Sequence, residues 1–260
     1  VRSLLTCRGF GGRLVVVDQS PDGAVGAVAT ALLGARATVI PSAPCGISRA
    51  RNLAHAAVRA PVVGFPDDDA SYFPDTLDGV ADAFADATLH ALCGRLVDPT
   101  GDASAGIIRP QPHDRARLSL WQACWSTTSS TLFVRHPGWH FAEELGAGTP
   151  LGAGEDLDLV CRLIAGGGRV AYATAVRIGH PVVTTRDTPP RKLRGYARGY
   201  AATVLRAARH ARSAAPLAHL GLTAAAAAVG VLRTPHDPTL RRAYAARLAG
   251  LADGLLGRAP

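Results

Sequence analysis

The stretch Pro61-Val62-Val63-Gly64-Phe65-Pro66-Asp67-Asp68-Asp69 decides the reading of this chain. A short apolar run, bounded by prolines, passes directly into three consecutive aspartates. The run is too short for a helix and reads as a buried strand. Three carboxylates at its carboxyl end are hard to explain as helix caps, because like charges in a half-buried turn repel one another. A cation removes that conflict. A few hard oxygen ligands suit Mg2+ or Mn2+ shared with a substrate diphosphate.

The pattern continues on both sides of this segment. Residues 13–18 (RLVVVD) read as a strand ending at Asp18, followed by a Gln-Ser-Pro-Asp-Gly turn. A helix is predicted over 25–33, closed by Gly34, and a second strand over 37–40. Residues 47–59 carry apolar positions at helical spacing, with Ser48 as the expected cap. Another helix is predicted over 74–84, and 89–131 shows no regular pattern. Strand 130–135 precedes a Gly-rich loop, 146–154, that opens a helix at Glu155-Asp156. Strand 169–178 is closed by His180-Pro181. Strands alternating with helices imply an α/β domain with a mainly parallel sheet over 1–185.

In such sheets, ligands bind outside the carboxyl ends of the strands. Asp18 with Asp22, Asp67 to Asp69, and Glu155-Asp156 with Asp158 all fall at such ends. They can therefore converge on one crevice. Taken alone, Asp22 or Asp158 reads equally well as a helix cap. Glu155-Asp156 reads either as compensation of a helix dipole or as a general base.

The 260 residues are 48% hydrophobic and 18% charged, which predicts a packed core and not a disordered chain. Five widely spaced cysteines without a C-x-x-C pair argue against a disulfide framework or a structural zinc site and fit a reducing cytoplasm. Residues 1–9 contain no apolar signal core. Charge is unevenly placed: residues 1–190 carry a net −2 and residues 191–260 a net +10. The segment 186–260 reads as a basic helical tail, suited to docking on an anionic surface or to forming a solvated helix face. Its apolar stretch 217–232 is short for a spanning helix and reads as bundled or interfacial. It lacks the interleaved aromatics of a single-strand binder, so no nucleic-acid partner is expected.

The order VVVDQSPDG (15–23), GISRARNLA (46–54), VVGFPDDDASYFP (62–74), the GAGTP-to-GEDLDLVCRL stretch (146–163) and a strand ending at His180 resembles glycosyltransferase family 2 on the GT-A fold, over about residues 1–185. FPDDD and GAGTP resemble a bacterial polysaccharide-building, rhamnosyltransferase-like subgroup. Tyr196-Ala-Arg-Gly-Tyr200 is similar to a segment of the same subgroup. The resemblance implies inverting transfer of a sugar from a nucleotide-diphosphate donor to a glycan or lipid-linked hydroxyl. It also implies an Mg2+ or Mn2+ cofactor and a peripheral place on the cytoplasmic face of the membrane. Asp18, with Ser20 and Asp22 in its loop, and Arg51 with Asn52 match donor-binding positions. Asp67 and Asp68 match positions that support the ribose and the metal site. Asp69, with Asp67 and His180, matches the metal ligands. Asp156, beside Glu155, matches the catalytic base.

The family opens with a strand, whereas residues 1–7 resemble the helix that follows it. The expected fold is therefore GT-A apparently lacking the first strand. A non-catalytic nucleotide-sugar-binding or scaffold protein is the alternative reading. Trp121, Trp125 and loop 146–154 read either as an acceptor wall or, for the tryptophans, as ordinary aromatic packing.

Overall fold

The computed structural model describes residues 2–258 except 9, 102–112 and 138. In chain order the elements are α1 (Arg2–Thr6), β1 (Leu14–Asp18), α2 (Ala24–Leu33), β2 (Ala37–Pro41), α3 (Ile47–His55), β3 (Val62–Gly64), β4 (Ser71–Tyr72) and α4 (Thr76–Phe84). They continue with β5 (Leu89–Val97), α5 (Leu120–Ser126), β6 (Leu132–Arg135), α6 (Glu155–Ala165), β7 (Arg169–Gly179), α7 (Pro190–Ala211), α8 (Ala215–Arg233) and α9 (Pro238–Leu255).

The sheet corrects the expectation of a mainly parallel arrangement. Five strands lie in the order β3-β6-β5-β7-β4, and only the β5–β7 pair is parallel. β3 and β4 stand at opposite ends of this order, joined by residues 65–70. β4 runs antiparallel along the carboxyl end of β7. Strand β5 fell in the stretch without a visible pattern. Its sequence LHALCGRLV is buried on both faces almost throughout, so it shows no two-residue alternation. Strands β1 and β2 form a separate parallel pair, in register from Leu14 opposite Ala37 to Asp18 opposite Pro41. The first described element is the helix α1.

Two apolar layers flank the five-stranded sheet. On one side Leu4 of α1 and Val80 and Phe84 of α4 pack against Leu92, Phe133 and Ile178. On the other, Leu157 and Val160 of α6 and Ala201 and Val204 of α7 pack with Phe65, Leu132, Phe141 and Tyr172. Helix α7 thus belongs to the same core as the helix that opens at Glu155. Helix α3 is shorter than predicted, ending at His55. Its cap is Gly46, and the buried Ser48 hydroxyl instead donates to the Leu145 carbonyl at 2.7 Å.

Helix α9 approaches α7 through small residues at four-residue spacing. A Cβ at Gly250 would lie 2.2 Å from the Arg194 carbonyl oxygen, and one at Gly254 would lie 2.3 Å from that of Arg198. Overpacking against backbone cannot relax cheaply and costs about 1–3 kcal/mol. Gly254→Val should therefore lower the melting temperature by roughly 5 °C. Gly221→Ala, in open space on α8, should leave it unchanged or raise it slightly, since alanine is favoured by up to about 1 kcal/mol in a helix. Thermal unfolding of the two variants checks this.

Candidate active site

Two strand ends and the starts of two helices supply the site. Strand β3 delivers the acidic turn, closed by the Ala70 N–H donating to the Asp67 carbonyl at 3.2 Å. Just beyond it, Ser71 pairs with Gly179 and Tyr72 with Ile178. That short ladder fixes the acidic turn beside His180, which follows β7 directly. The strands approach closely here because residue 179 has no side chain: a Cβ would lie 2.5 Å from Ser71 Oγ. One ligand atom each from Asp67, Asp69 and His180 lies within 4.8 Å of the others. His180 Nε2 stands 3.3 Å from Asp69 Oδ1. Its Nδ1 donates to the Pro181 carbonyl at 2.7 Å, so in the neutral ring the lone pair on Nε2 faces the carboxylates.

Two negative charges at such a separation repel by about 3–4 kcal/mol at an effective dielectric near 20. A divalent cation between two carboxylates and an imidazole nitrogen turns that repulsion into attraction. The donor set, two hard oxygens and one nitrogen with room for exogenous oxygen ligands, fits Mg2+ or Mn2+. Burial holds the Asp67 carboxyl above its ordinary range, and Arg51 opposes that rise. Asp68 is exposed and outside the cluster, because the turn directs alternate side chains away from His180.

Arg51 joins the acidic turn to α6. Its Nη1 donates to Glu155 Oε1 at 2.9 Å, and its Nη2 reaches Asp67 Oδ1 at 3.5 Å. The guanidinium is almost enclosed, with Phe65 and Phe141 beneath it at 5.7 and 5.2 Å. Glu155 is therefore a positioning residue, buried and ion-paired. Asp156, beside it, is half-buried and accepts the Leu157 N–H at 2.7 Å. Burial, reinforced by the Glu155 charge, pushes its carboxyl up to about 7, against the pull of Arg51. A carboxylate that titrates near neutrality is suited to accept a proton from a hydroxyl.

Gly-rich loop 146–154 sets the position of this helix start. Gly146 and Gly154 both have φ of +96°, which only glycine adopts without strain. A Cβ at Gly154 would also lie 2.4 Å from Thr203 Oγ1 of α7. Thr203 donates to the Gly154 carbonyl at 3.2 Å. The tail helix thus braces the loop that presents Glu155 and Asp156, a role that composition does not reveal.

The remaining candidate residues serve nearer tasks. Asp18 is 5% exposed and accepts the Ser20 N–H and hydroxyl at 2.9 and 2.5 Å and the Gly26 N–H at 2.7 Å. These bonds, the Ser20 hydroxyl foremost, hold its carboxyl below the ordinary range. Asp18 and Ser20 organise the loop between β1 and α2. Asp22 is exposed and accepts the Ala24 N–H at the start of α2. The side-chain amide of Asn52 pairs with both polar atoms of the Phe141 backbone at 2.9 Å. Trp121 and Trp125 stack edge-on against His219 of α8, 5.2 and 4.4 Å between ring centres, so they pack the tail onto the body. One residue passed over in the sequence is Ser129, whose hydroxyl donates to Asp67 Oδ1 at 3.5 Å. The only signal for it was a polar Ser/Thr run ahead of β6.

The opposed influences on Asp156 can be separated. Glu155→Gln should lower its pKa and Arg51→Gln should raise it, as read by carboxyl NMR of labelled aspartate. A group whose folded pKa exceeds its unfolded value favours the folded state only while protonated. Stability should therefore fall as pH rises from about 4 to about 7, and Asp156→Asn should remove that part of the fall in thermal unfolding measured across the range.

Residues 13–128 match the model of Glycosyl transferase family 2. Among solved structures, the chain is similar to mannosyltransferase PcManGT from Pyrobaculum calidifontis in complex with GDP-Man and Mn2+, at 18% identity and a TM-score of 0.64, covering 98% of this chain and 82% of that one. It is also similar to S. aureus TarS 1-349 in complex with UDP-GlcNAc, at 15% identity and a TM-score of 0.57, covering 99% and 87%. No curated protein matches it in sequence. The likeness to solved structures is one of fold. The chain has the GT-A fold, and its segment from β1 through α5, with the acidic turn at its centre, matches glycosyl transferase family 2.

Proposed function

We propose that this protein transfers a sugar from a nucleotide-diphosphate donor to a hydroxyl of a glycan or lipid-linked acceptor. The observation that carries this reading is Arg51 binding Glu155 and Asp67 at once. That pairing ties the start of α6, where Asp156 follows Glu155, to the acidic turn, and so supports a base and a metal cluster acting at one site. Asp67, Asp69 and His180 would hold Mg2+ or Mn2+, which would supply Lewis-acid neutralisation of the departing diphosphate. Asp156, ionised, would accept the acceptor's proton as its oxygen attacks the anomeric carbon. Attack opposite the leaving group gives inversion. Arg51 would keep Asp156 ionisable in its buried setting, and Glu155 would keep Arg51 in place.

FPDDD and GAGTP support a rhamnosyltransferase-like reading within cell-surface polysaccharide assembly, with a hexose or deoxyhexose as the donor sugar. The basic tail supports an enzyme held peripherally at the cytoplasmic face of the membrane, where lipid-linked acceptors are found.

Asp156→Asn should lower turnover by roughly 10²–10⁴-fold and leave donor affinity nearly intact. In the unaltered protein, turnover should rise with pH on a limb near 7, because only the ionised carboxylate accepts a proton. Stopped-assay rates at saturating donor, across pH, check both. Donor binding without turnover in the unaltered protein would favour the non-catalytic, scaffold reading instead.

Asp69→Ala should abolish the metal-dependent part of thermal protection by a nucleoside diphosphate. Equal protection with and without Mn2+ in the unaltered protein would remove the metal from the proposal.

A further inference from the structure

The structure leaves one long apolar surface in water. Helix α8 has no charged residue before Arg233. It is long and apolar enough to cross a membrane, with mean hydropathy 1.7, yet only 22% of it is buried. Its inner face, through Pro216, His219, Leu220 and Ala227, is anchored on the body. Its outer face exposes Ala218, Leu222, Ala225, Val229 and Leu232, the three- and four-residue spacing of a single helical stripe. Leu222 and Val229 are 47% and 43% exposed, and Leu232 is 78% exposed.

Basic residues stand at both ends of this stripe. Arg209 and Arg212 precede α8, and Arg233, Arg241 and Arg242 follow at its junction with α9. All five are exposed and make no ion pair among the described residues. Next to the carboxyl end of α7, a cleft of about 400 Å³ is lined by Arg162, Arg206, Arg209 and His210 together with Asp158, which pairs with Arg162 and Arg206 and leaves Arg209 as the lining arginine without an ion pair among the described residues. Arg191, Lys192 and Arg258 are likewise exposed without an ion pair among the described residues, whereas other cations of the tail are held within the fold. Arg186 pairs with Asp237, Arg194 with Asp253, Arg206 with Glu144 and Asp158, and Arg198 is buried. Much of the charge on α7 is thus spent on folding.

We infer that the docking element is α8, laid in the plane of an anionic bilayer with its stripe of Leu222, Val229 and Leu232 in the acyl boundary. The cations at its ends, and the cleft at its amino end, would receive phosphate-bearing headgroups. An uncharged stripe between cations fits an interfacial helix. A second copy of this chain fits it poorly, because pairing the two stripes would bring like charges together. A spanning helix fits poorly too, because insertion would strip His219 from Tyr200, Trp121 and Trp125 and Leu220 from the core. The inference rests on the membrane part of the reading above and not on sugar transfer.

Sedimentation with phosphatidylcholine vesicles, with and without phosphatidylserine, tests it in the absence of any donor. The intact protein should pellet with the anionic vesicles at low salt, and wash off in alkaline carbonate. Leu222→Glu with Val229→Glu, at exposed positions, should weaken binding at least tenfold. Arg209→Gln with Arg233→Gln should weaken it about 25-fold, at about fivefold per cation, and flatten its salt dependence. This second pair also keeps the inference falsifiable should the first variant unfold. Unchanged pelleting of either folded variant would overturn it. So would resistance to carbonate, which means spanning, or a dimer in ultracentrifugation that the glutamate pair dissociates while vesicle binding persists. Because transfer is not read out, loss of vesicle binding and loss of activity remain separate results.

Discussion

The site depends on a desolvated guanidinium. Arg51 sits on two aromatic rings with little access to water, and its charge is balanced by Glu155 on one side and Asp67 on the other. Removing one partner of such a pair leaves a buried charge uncompensated, which is far more costly than the pair is stabilising. That asymmetry fixes the distance between the acidic turn and the start of α6. It also sets the balance at Asp156, where burial and Glu155 push one way and Arg51 pushes the other.

The supporting structure serves this junction from several directions. The two-residue ladder of β4 on β7 holds the turn at His180, and it closes because residue 179 is glycine. Asn52, one residue beyond Arg51, grips the Phe141 backbone and so keeps an aromatic ring under the guanidinium. From behind, α7 presses on the Gly-rich loop through Thr203 and Gly199, against which Gly154 and Ala153 leave no spare room. Residues that read as separate motifs are one packed unit. The basic helical tail belongs to it through α7, while α8 leaves an apolar face uncovered.

The candidate site was legible in outline because its chemistry leaves local traces. Three adjacent aspartates after a strand, and a Glu-Asp pair after glycines, are patterns of charge against burial, and charge against burial has few explanations. The structural part of Asn52 was not legible, because an amide beside an arginine looks the same in sequence whether it binds a ligand or a backbone. Ser129 went unseen because a hydroxyl carries no charge signature. Strand β5 escaped notice because full burial erases alternation, and the mixed sheet could not be read from an order of elements that parallel and antiparallel sheets share.

The sequence by itself determined the α/β class, the boundaries of most strands and helices, the acidic turn and the position of Glu155-Asp156, since each follows from local periodicity, turn chemistry or charge placement. The resemblance had already grouped Asp67 with Asp69 and His180, and the tertiary structure brings one ligand atom of each within 4.8 Å of the others. The tertiary structure alone decided that Arg51 spans two carboxylates, one of them 104 residues further along the chain, and that the tail's arginines are divided between internal pairs and an open surface. Those are questions of which groups meet when distant segments pack. Burial, which turns a carboxylate into a base or an arginine into a brace, exists only after they have met.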